Sequence, residues 1–212
     1  MLIERLSIEG AWVVTPRQHA DDRGVFFEWF KQPVFAEANG HSLSLAQANC
    51  SVSSAGTLRG IHFADVPPGQ AKYVMCTSGR VLDVVVDIRV GSPTFGQWTS
   101  VELDTVHRRA VYLSEGLGHG FVAVEDASTV IYLCSTAYNP AHEREINPFD
   151  TDLAIDWGVT AEQASLSDKD SAAPGLLAAR DAGLLPDYAT CRDYRIALDN
   201  PPRNDGSASA RA

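Results

Sequence analysis

Four short clusters in this 212-residue chain carry side chains suited to moving protons. The first is Thr57-Leu58-Arg59-Gly60-Ile61-His62-Phe63, where Arg59 and His62 bracket a glycine in a segment that otherwise reads as extended. Lys72 follows beyond the turn Pro67-Pro68-Gly69, at the start of the next strand. Strands joined by such a turn can bring an imidazole and an ammonium into one cavity. An unperturbed imidazole titrates at about 6.5, near ambient pH, which suits a general base. A fixed ammonium suits a developing oxyanion. A lone strand histidine is more often structural, and it is the company of Arg59 and Lys72 that points to chemistry.

The second cluster, Ser114-Glu115-Gly116-Leu117-Gly118-His119-Gly120-Phe121, sets His119 among glycines. The third is the strand Val130-Ile131-Tyr132-Leu133-Cys134, whose alternation puts Val130, Tyr132 and Cys134 on one face. On its own Tyr132 reads as a wall aromatic with a satisfied hydroxyl. Tyr138, on the loop beyond, is placed to stack on a base or to plug an apolar gap. The fourth, Ser165-Leu166-Ser167-Asp168-Lys169-Asp170, taken alone reads as a solvated mixed-charge turn. His19, His41, His107 and His142 sit in loop-like stretches and read as solvated.

The elements that must position these groups are short. Lys72–Thr77, Arg80–Arg89, Trp98–Leu103, Ala110–Ser114, Gly120–Val124 and Thr129–Ser135 are rich in Val, Ile, Leu and Tyr. Turn signals separate them at intervals of about ten residues, the pattern of an all-β sandwich or barrel. Further strands are expected near Gly10–Thr15, Val25–Phe30 and Leu45–Ser54, with a short helix at Pro33–Ala38 opened by its proline. Asn139–Asp156 reads as loop, Leu176–Ala182 as helix, and Pro201–Ala212 as a disordered tail. The division is one domain over 1–185, including the C-terminal helical segment, and an extension over 186–212.

A formal charge of −10 argues against nucleic-acid binding, which demands a basic face. It leaves room for an anionic small molecule held by a few Arg and Lys. No apolar run is long enough to span a bilayer, and the N-terminus lacks a signal-peptide pattern, so the expected location is cytoplasmic. Cys50, Cys76, Cys134 and Cys191 form no C-x-x-C pair and are read as free thiols, the first three as small buried strand residues.

The Ser114–His119 stretch resembles the second cupin motif, P-x-G-x-x-H, with Ser114 in place of the proline. The first cupin motif normally supplies three further metal ligands. Here only His62 stands at that place, followed by Phe63 and Ala64. Zinc or iron needs three or four protein ligands, so His62 and His119 are too few and no metal is expected.

The chain is similar over about Gly10 to Asp170 to the dTDP-4-dehydrorhamnose 3,5-epimerase family of cupin-fold enzymes, and its C-terminal Gly183-Leu184-Leu185-Pro186-Asp187-Tyr188 and tail resemble that family's natural-product deoxysugar branch. The shared motifs are Asp22-Arg23-Gly24-x-Phe26-x-Glu28, Gln47-Ala48-Asn49-Cys50-Ser51, Leu58-Arg59-Gly60-Ile61-His62-Phe63, Pro67-Pro68-x-Gln70-x-Lys72, the run from Asp83 to Gly96, Gly118-His119-Gly120-Phe121 and Ser167-Asp168-Lys169-Asp170. The family often has His-Phe-Gln where this chain has His62-Phe63-Ala64.

The resemblance implies an all-β, cupin-type jelly-roll barrel with short peripheral helices. It implies a dTDP-linked 4-keto-6-deoxy sugar as substrate and no cofactor, because the substrate's own ketone is the electron sink. His62 would be the general base in a dyad with Asp170, Lys72 would stabilise the enolate, and Tyr132 would deliver a proton from the opposite face. Arg23, Phe26, Glu28, Gln47, Asn49, Arg59, His119, Glu143 and Lys169 would bind substrate, and Tyr138 would stack on thymine. Arg23 and Phe26 would serve a neighbouring subunit through exchanged N-terminal strands of a homodimer. Whether C3, C5 or both are inverted stays open. The alternatives are a 4-keto-sugar ketoisomerase, a non-catalytic nucleotide-sugar-binding cupin and a metal-dependent oxygenase.

Overall fold

The computed structural model describes residues 1–199. Strands β1 (Leu2–Arg5), β2 (Ala11–Thr15), β3 (Gln18–Asp21) and β4 (Gly24–Phe27) lead to helix α1 (Gln32–Asn39). There follow β5 (Gln47–Ser53), β6 (Leu58–Ala64), β7 (Lys72–Ser78), β8 (Arg80–Val86), β9 (Trp98–Asp104), β10 (Ala110–Leu113), β11 (Gly118–Ala123), β12 (Ser128–Cys134) and β13 (Glu143–Glu145). Helices α2 (Asp168–Ser171), α3 (Leu176–Asp181) and α4 (Tyr188–Asp199) end the described chain. Among the described residues no helix is long and apolar enough to cross a membrane.

The jelly roll consists of two antiparallel sheets, β1-β2-β10-β7-β12-β5 and β13-β6-β11-β8-β9, with β3 and β4 forming a separate hairpin. Period-two alternation decides which layer each side chain enters. In β7, Val74 and Cys76 join the cluster between the sheets with Val81, Val85 and Phe121 from the facing sheet. Tyr73 and Met75 point the other way, into an aromatic layer with Phe35 of α1 and Trp12. The outer face of the second sheet is covered by Ile146, Leu153, Trp157 and Leu176 from the long C-terminal passage. Both sheets are thus apolar on both faces, so the strands read as nearly continuous apolar runs.

Several boundaries differ from expectation. The Arg80–Arg89 strand stops at Val86; beyond it the Asp87 main chain bonds to Gly96 and Gln97 in a turn, and its carboxylate takes bonds from Arg89, Ser92 and Thr94. The loop-like stretch 139–156 contains β13, which pairs with β6. The extension after 185 is tied to the fold: Val90 donates to Pro186 O, Tyr188 donates to Val90 O, and α4 runs to Asp199. The expected disordered tail lies outside the described residues. His41 is buried rather than solvated, held by Asn39. Cys50 is exposed rather than buried, because β5 is an edge strand. Cys76, Cys134 and Cys191 are buried and free.

One irregularity matters for the site. Between the pairs His119↔His62 and Phe121↔Arg59, β11 advances two residues and β6 three. This bulge breaks strict alternation, so Leu58, Ile61 and Phe63 all reach the outer cluster while His62 turns inward. Gly60 makes it feasible: its φ is +128°, and a Cβ there would lie 2.6 Å from Gly120 Cα and 2.7 Å from His119 O.

Gly60→Ala should therefore lower stability by about 3 kcal/mol, from left-handed strain plus a backbone clash. Gly158→Ala, with φ +70° and nothing within 4 Å of its Cβ, should cost about 1 kcal/mol. Denaturant unfolding of the two variants checks the contrast, and equal losses would contradict it.

Candidate active site

A cavity of about 320 Å³ opens between the sheets. One wall is the first sheet: Lys72 from β7, Tyr132 from β12, and Gln47 and Asn49 from β5. Their register makes them neighbours, since Tyr132 lies opposite Val74 and Asn49, and Cys134 opposite Lys72 and Gln47. The facing wall is the second sheet, which contributes His62 from β6 and Glu143 from β13. Gln70, Cys50 and Tyr138 complete the lining, with Tyr138 exposed.

His62 meets Asp170 at 2.7 Å between Nε2 and Oδ1. A one-turn helix places the carboxylate. Ser167 caps α2 by accepting from the Asp170 backbone N–H at 3.1 Å, which turns Asp170 inward until it is only 3% exposed. Burial alone would raise the Asp170 pKa. The His62 hydrogen bond and charge, with further bonds from Ser167 and Gly60, outweigh that and hold it below the ordinary value. A carboxylate only accepts, so Nε2 carries the proton and Nδ1 keeps a lone pair. Among the described residues nothing bonds Nδ1.

Lys72 is 9% exposed, and among the described residues its ammonium has no hydrogen-bond partner. Burial lowers its pKa, while Glu143, Cys134 and Asp83 work against the fall. Tyr132 is half-buried. Burial and Cys134 raise its pKa against the pull of Arg59 and an Asn49 hydrogen bond, so it stays a phenol. The cavity thus holds a one-sided base, a buried cation and a proton-bearing phenol.

Other expected residues are distributed around this centre. Arg59 is exposed and donates to Ser53 Oγ at 3.1 Å. Lys169 pairs with Glu145 of β13 near the mouth. His119 lies deeper between the sheets, with Nε2 at 2.8 Å from Asp83 Oδ2. Arg23, Phe26 and Glu28 are not brought to the cavity by their own chain. Arg23 pairs with Asp21 on the isolated hairpin, Glu28 with Lys31, and Phe26 is 68% exposed. Sequence reasoning gave no separate role to Asp83 or Gln70. The signal for Asp83 was its inward register between Val81 and Val85, an anomalous place for a carboxylate. Among the described residues no three His, Cys, Asp or Glu side chains cluster as metal ligands.

A family model described as dTDP-4-dehydrorhamnose 3,5-epimerase matches residues 5–178. The dTDP-4-dehydrorhamnose 3-epimerase of Streptomyces niveus is 58% identical over 201 residues, covering 95% of this chain and 96% of that protein. The solved structure of a Mycobacterium tuberculosis epimerase aligns with a TM-score of 0.91 at 54% identity, covering 93% of this chain and 100% of that one. ChmJ, a 3'-monoepimerase from Streptomyces bikiniensis solved in complex with dTDP-quinovose, aligns with a TM-score of 0.89 at 49% identity, covering 92% and 98%.

Because its native pKa lies below its ordinary value, Asp170 contributes stability that is complete above pH 3.8 and is lost as pH falls through the lower native value. Asp170→Asn should cost about 2 kcal/mol at pH 7, and that difference should shrink in unfolding titrations below about pH 3. A pH-independent difference would contradict the account of an ionised Asp170 held by its hydrogen bonds.

Proposed function

The chain belongs to the dTDP-4-dehydrorhamnose 3,5-epimerase family, and from this premise we propose how its residues epimerise a dTDP-4-keto-6-deoxyhexose in deoxysugar biosynthesis. The observation that carries the reading is the opposition of His62 on one sheet to Lys72 and Tyr132 on the other, across one cavity.

C3 and C5 both flank the C4 ketone, so a proton on either is acidified by it. His62 Nδ1 takes that proton, and the electron pair moves onto the C4 oxygen. The enolate is the costly species. The Lys72 ammonium, with no hydrogen-bond partner among the described residues, faces that oxygen; losing such a stabilising donor typically costs about 3 kcal/mol of barrier. The Tyr132 phenol then protonates the same carbon from the other face, which inverts it. Solvent returns a proton to the phenolate and removes one from the imidazolium, so nothing is consumed. Asp170 keeps the lone pair on Nδ1 and stabilises the imidazolium. Two carbons flanking one ketone make double inversion the default outcome.

Tyr138 at the mouth supports stacking on thymine, and Arg59, Lys169 and His119 support binding of the pyrophosphate and sugar with Gln47, Asn49 and Glu143. The exposed hairpin bearing Arg23 and Phe26, with Glu28 just beyond it, supports a homodimer in which it completes the neighbouring site. No cofactor enters the scheme.

Proton NMR in heavy water tests this reading. The product should carry deuterium at C3 and C5 with the ketone still at C4, and a ketone moved to C3 would instead indicate a ketoisomerase. His62→Ala should abolish exchange while dTDP binding persists. Tyr132→Phe should keep exchange at the deprotonated carbon but lose inversion by at least about a hundredfold. The exchanged hairpin has its own test. Heterodimers of Arg23→Ala with His62→Ala should regain one working site and show activity that neither parent has. Absence of complementation would overturn the exchange.

A further inference from the structure

Asp83 is a carboxylate in an apolar place. It sits in β8, opposite Phe121 of β11 and Val101 of β9, with Val81 and Val85 beside it on the inward face. The residue is 1% exposed. One oxygen takes the His119 Nε2–H at 2.8 Å, and the other, Oδ1, is buried without a hydrogen-bond partner among the described residues. A buried carboxylate with an unsatisfied oxygen is destabilising unless a nearby positive charge compensates it. Lys72, on the facing sheet, is also buried and has no hydrogen-bond partner among the described residues, so an unpaired carboxylate oxygen and an unpaired ammonium share the space between the sheets.

We propose that Asp83 is a positioning residue for the epimerisation: one buried carboxylate that fixes the orientation and tautomer of His119 and acts from a distance as a counter-charge for Lys72. The proposal rests on the roles given above to Lys72 and His119. The separation from Lys72 matters. A carboxylate hydrogen-bonded to the ammonium would hold its donors away from the substrate oxygen. A carboxylate committed to His119 keeps Lys72 charged by its field alone and leaves the N–H groups free. On His119 the same bond places the proton on Nε2 and leaves Nδ1 as an acceptor. The groups facing Lys72 are Glu143 from β13, Cys134 and Tyr132 from β12, His62 from β6 and Asp83 from β8. Glu143 lines the cavity, whereas Asp83 is not among the residues that line it.

The test is the pH profile of kcat together with the His119 tautomer. In the wild-type enzyme, activity should fall at alkaline pH as Lys72 deprotonates, below the ordinary lysine range. Asp83→Asn should move that limb about one pH unit lower and release His119 from its single Nε2–H tautomer in long-range proton–nitrogen NMR spectra. Glu143→Gln should move the limb but leave His119 unchanged. An Asp83→Asn enzyme with an unmoved limb, or with His119 still fixed, overturns the proposal. Should that variant not fold, the wild-type protein decides: the Asp83 carboxyl carbon shift should step at the pH where Lys72 titrates, and a flat trace overturns the proposal. Wild-type protein that exchanges no deuterium would overturn the epimerase reading itself, a result distinguishable from both.

Discussion

The contact between His62 and Asp170 joins positions 108 residues apart, and the arrangement of the site follows from it. A histidine becomes a one-sided base only if something holds its other nitrogen. That partner must be ionised, buried and fixed in angle, and a long exposed loop supplies none of these. Here the chain runs over the outer face of the second sheet, packs Ile146, Leu153, Trp157 and Leu176 against it, and offers one capped helical turn at the right point. The apolar cover and the catalytic geometry are the same structural commitment. The dyad is also part of the fold's stability, since losing the hydrogen bond to the buried Asp170 should cost about 2 kcal/mol.

The second constraint is that inversion needs two faces. A single sheet presents a base and an acid side by side, which suits moving a proton along one face of a ring. Two facing sheets put them on opposite walls. The jelly roll supplies the walls, the Gly60 bulge turns His62 inward, and the pairing of β7 with β12 keeps Lys72 next to the phenol. Burial sets the protonation states needed: it raises the Tyr132 pKa, so the phenol keeps its proton, and it lowers that of Lys72, which the acidic groups around it counter.

Much of this was legible from the chain. Alternation in Val130-Ile131-Tyr132-Leu133-Cys134 gave the correct inward face, and the turn-punctuated apolar runs gave the all-β class. What escaped was non-local. The Ser167–Asp170 stretch has the composition of a solvated turn, and only the resemblance pointed to Asp170; its burial depends on a strand more than a hundred residues earlier. Cys50 has a strand neighbourhood yet is exposed, because edge position is set by sheet order and not by local pattern. Arg23 and Phe26 carry family motifs but lie on a hairpin apart from the cavity of their own chain.

The most direct check on the central claim is the tautomer of His62 in the resting protein, read from long-range proton–nitrogen correlations at neutral pH. The structure requires the proton on Nε2, shared with Asp170, and an unprotonated Nδ1 facing the cavity. A His62 ring that carries its proton on Nδ1 at neutral pH would have no lone pair to offer the substrate, and would contradict its assignment as the base.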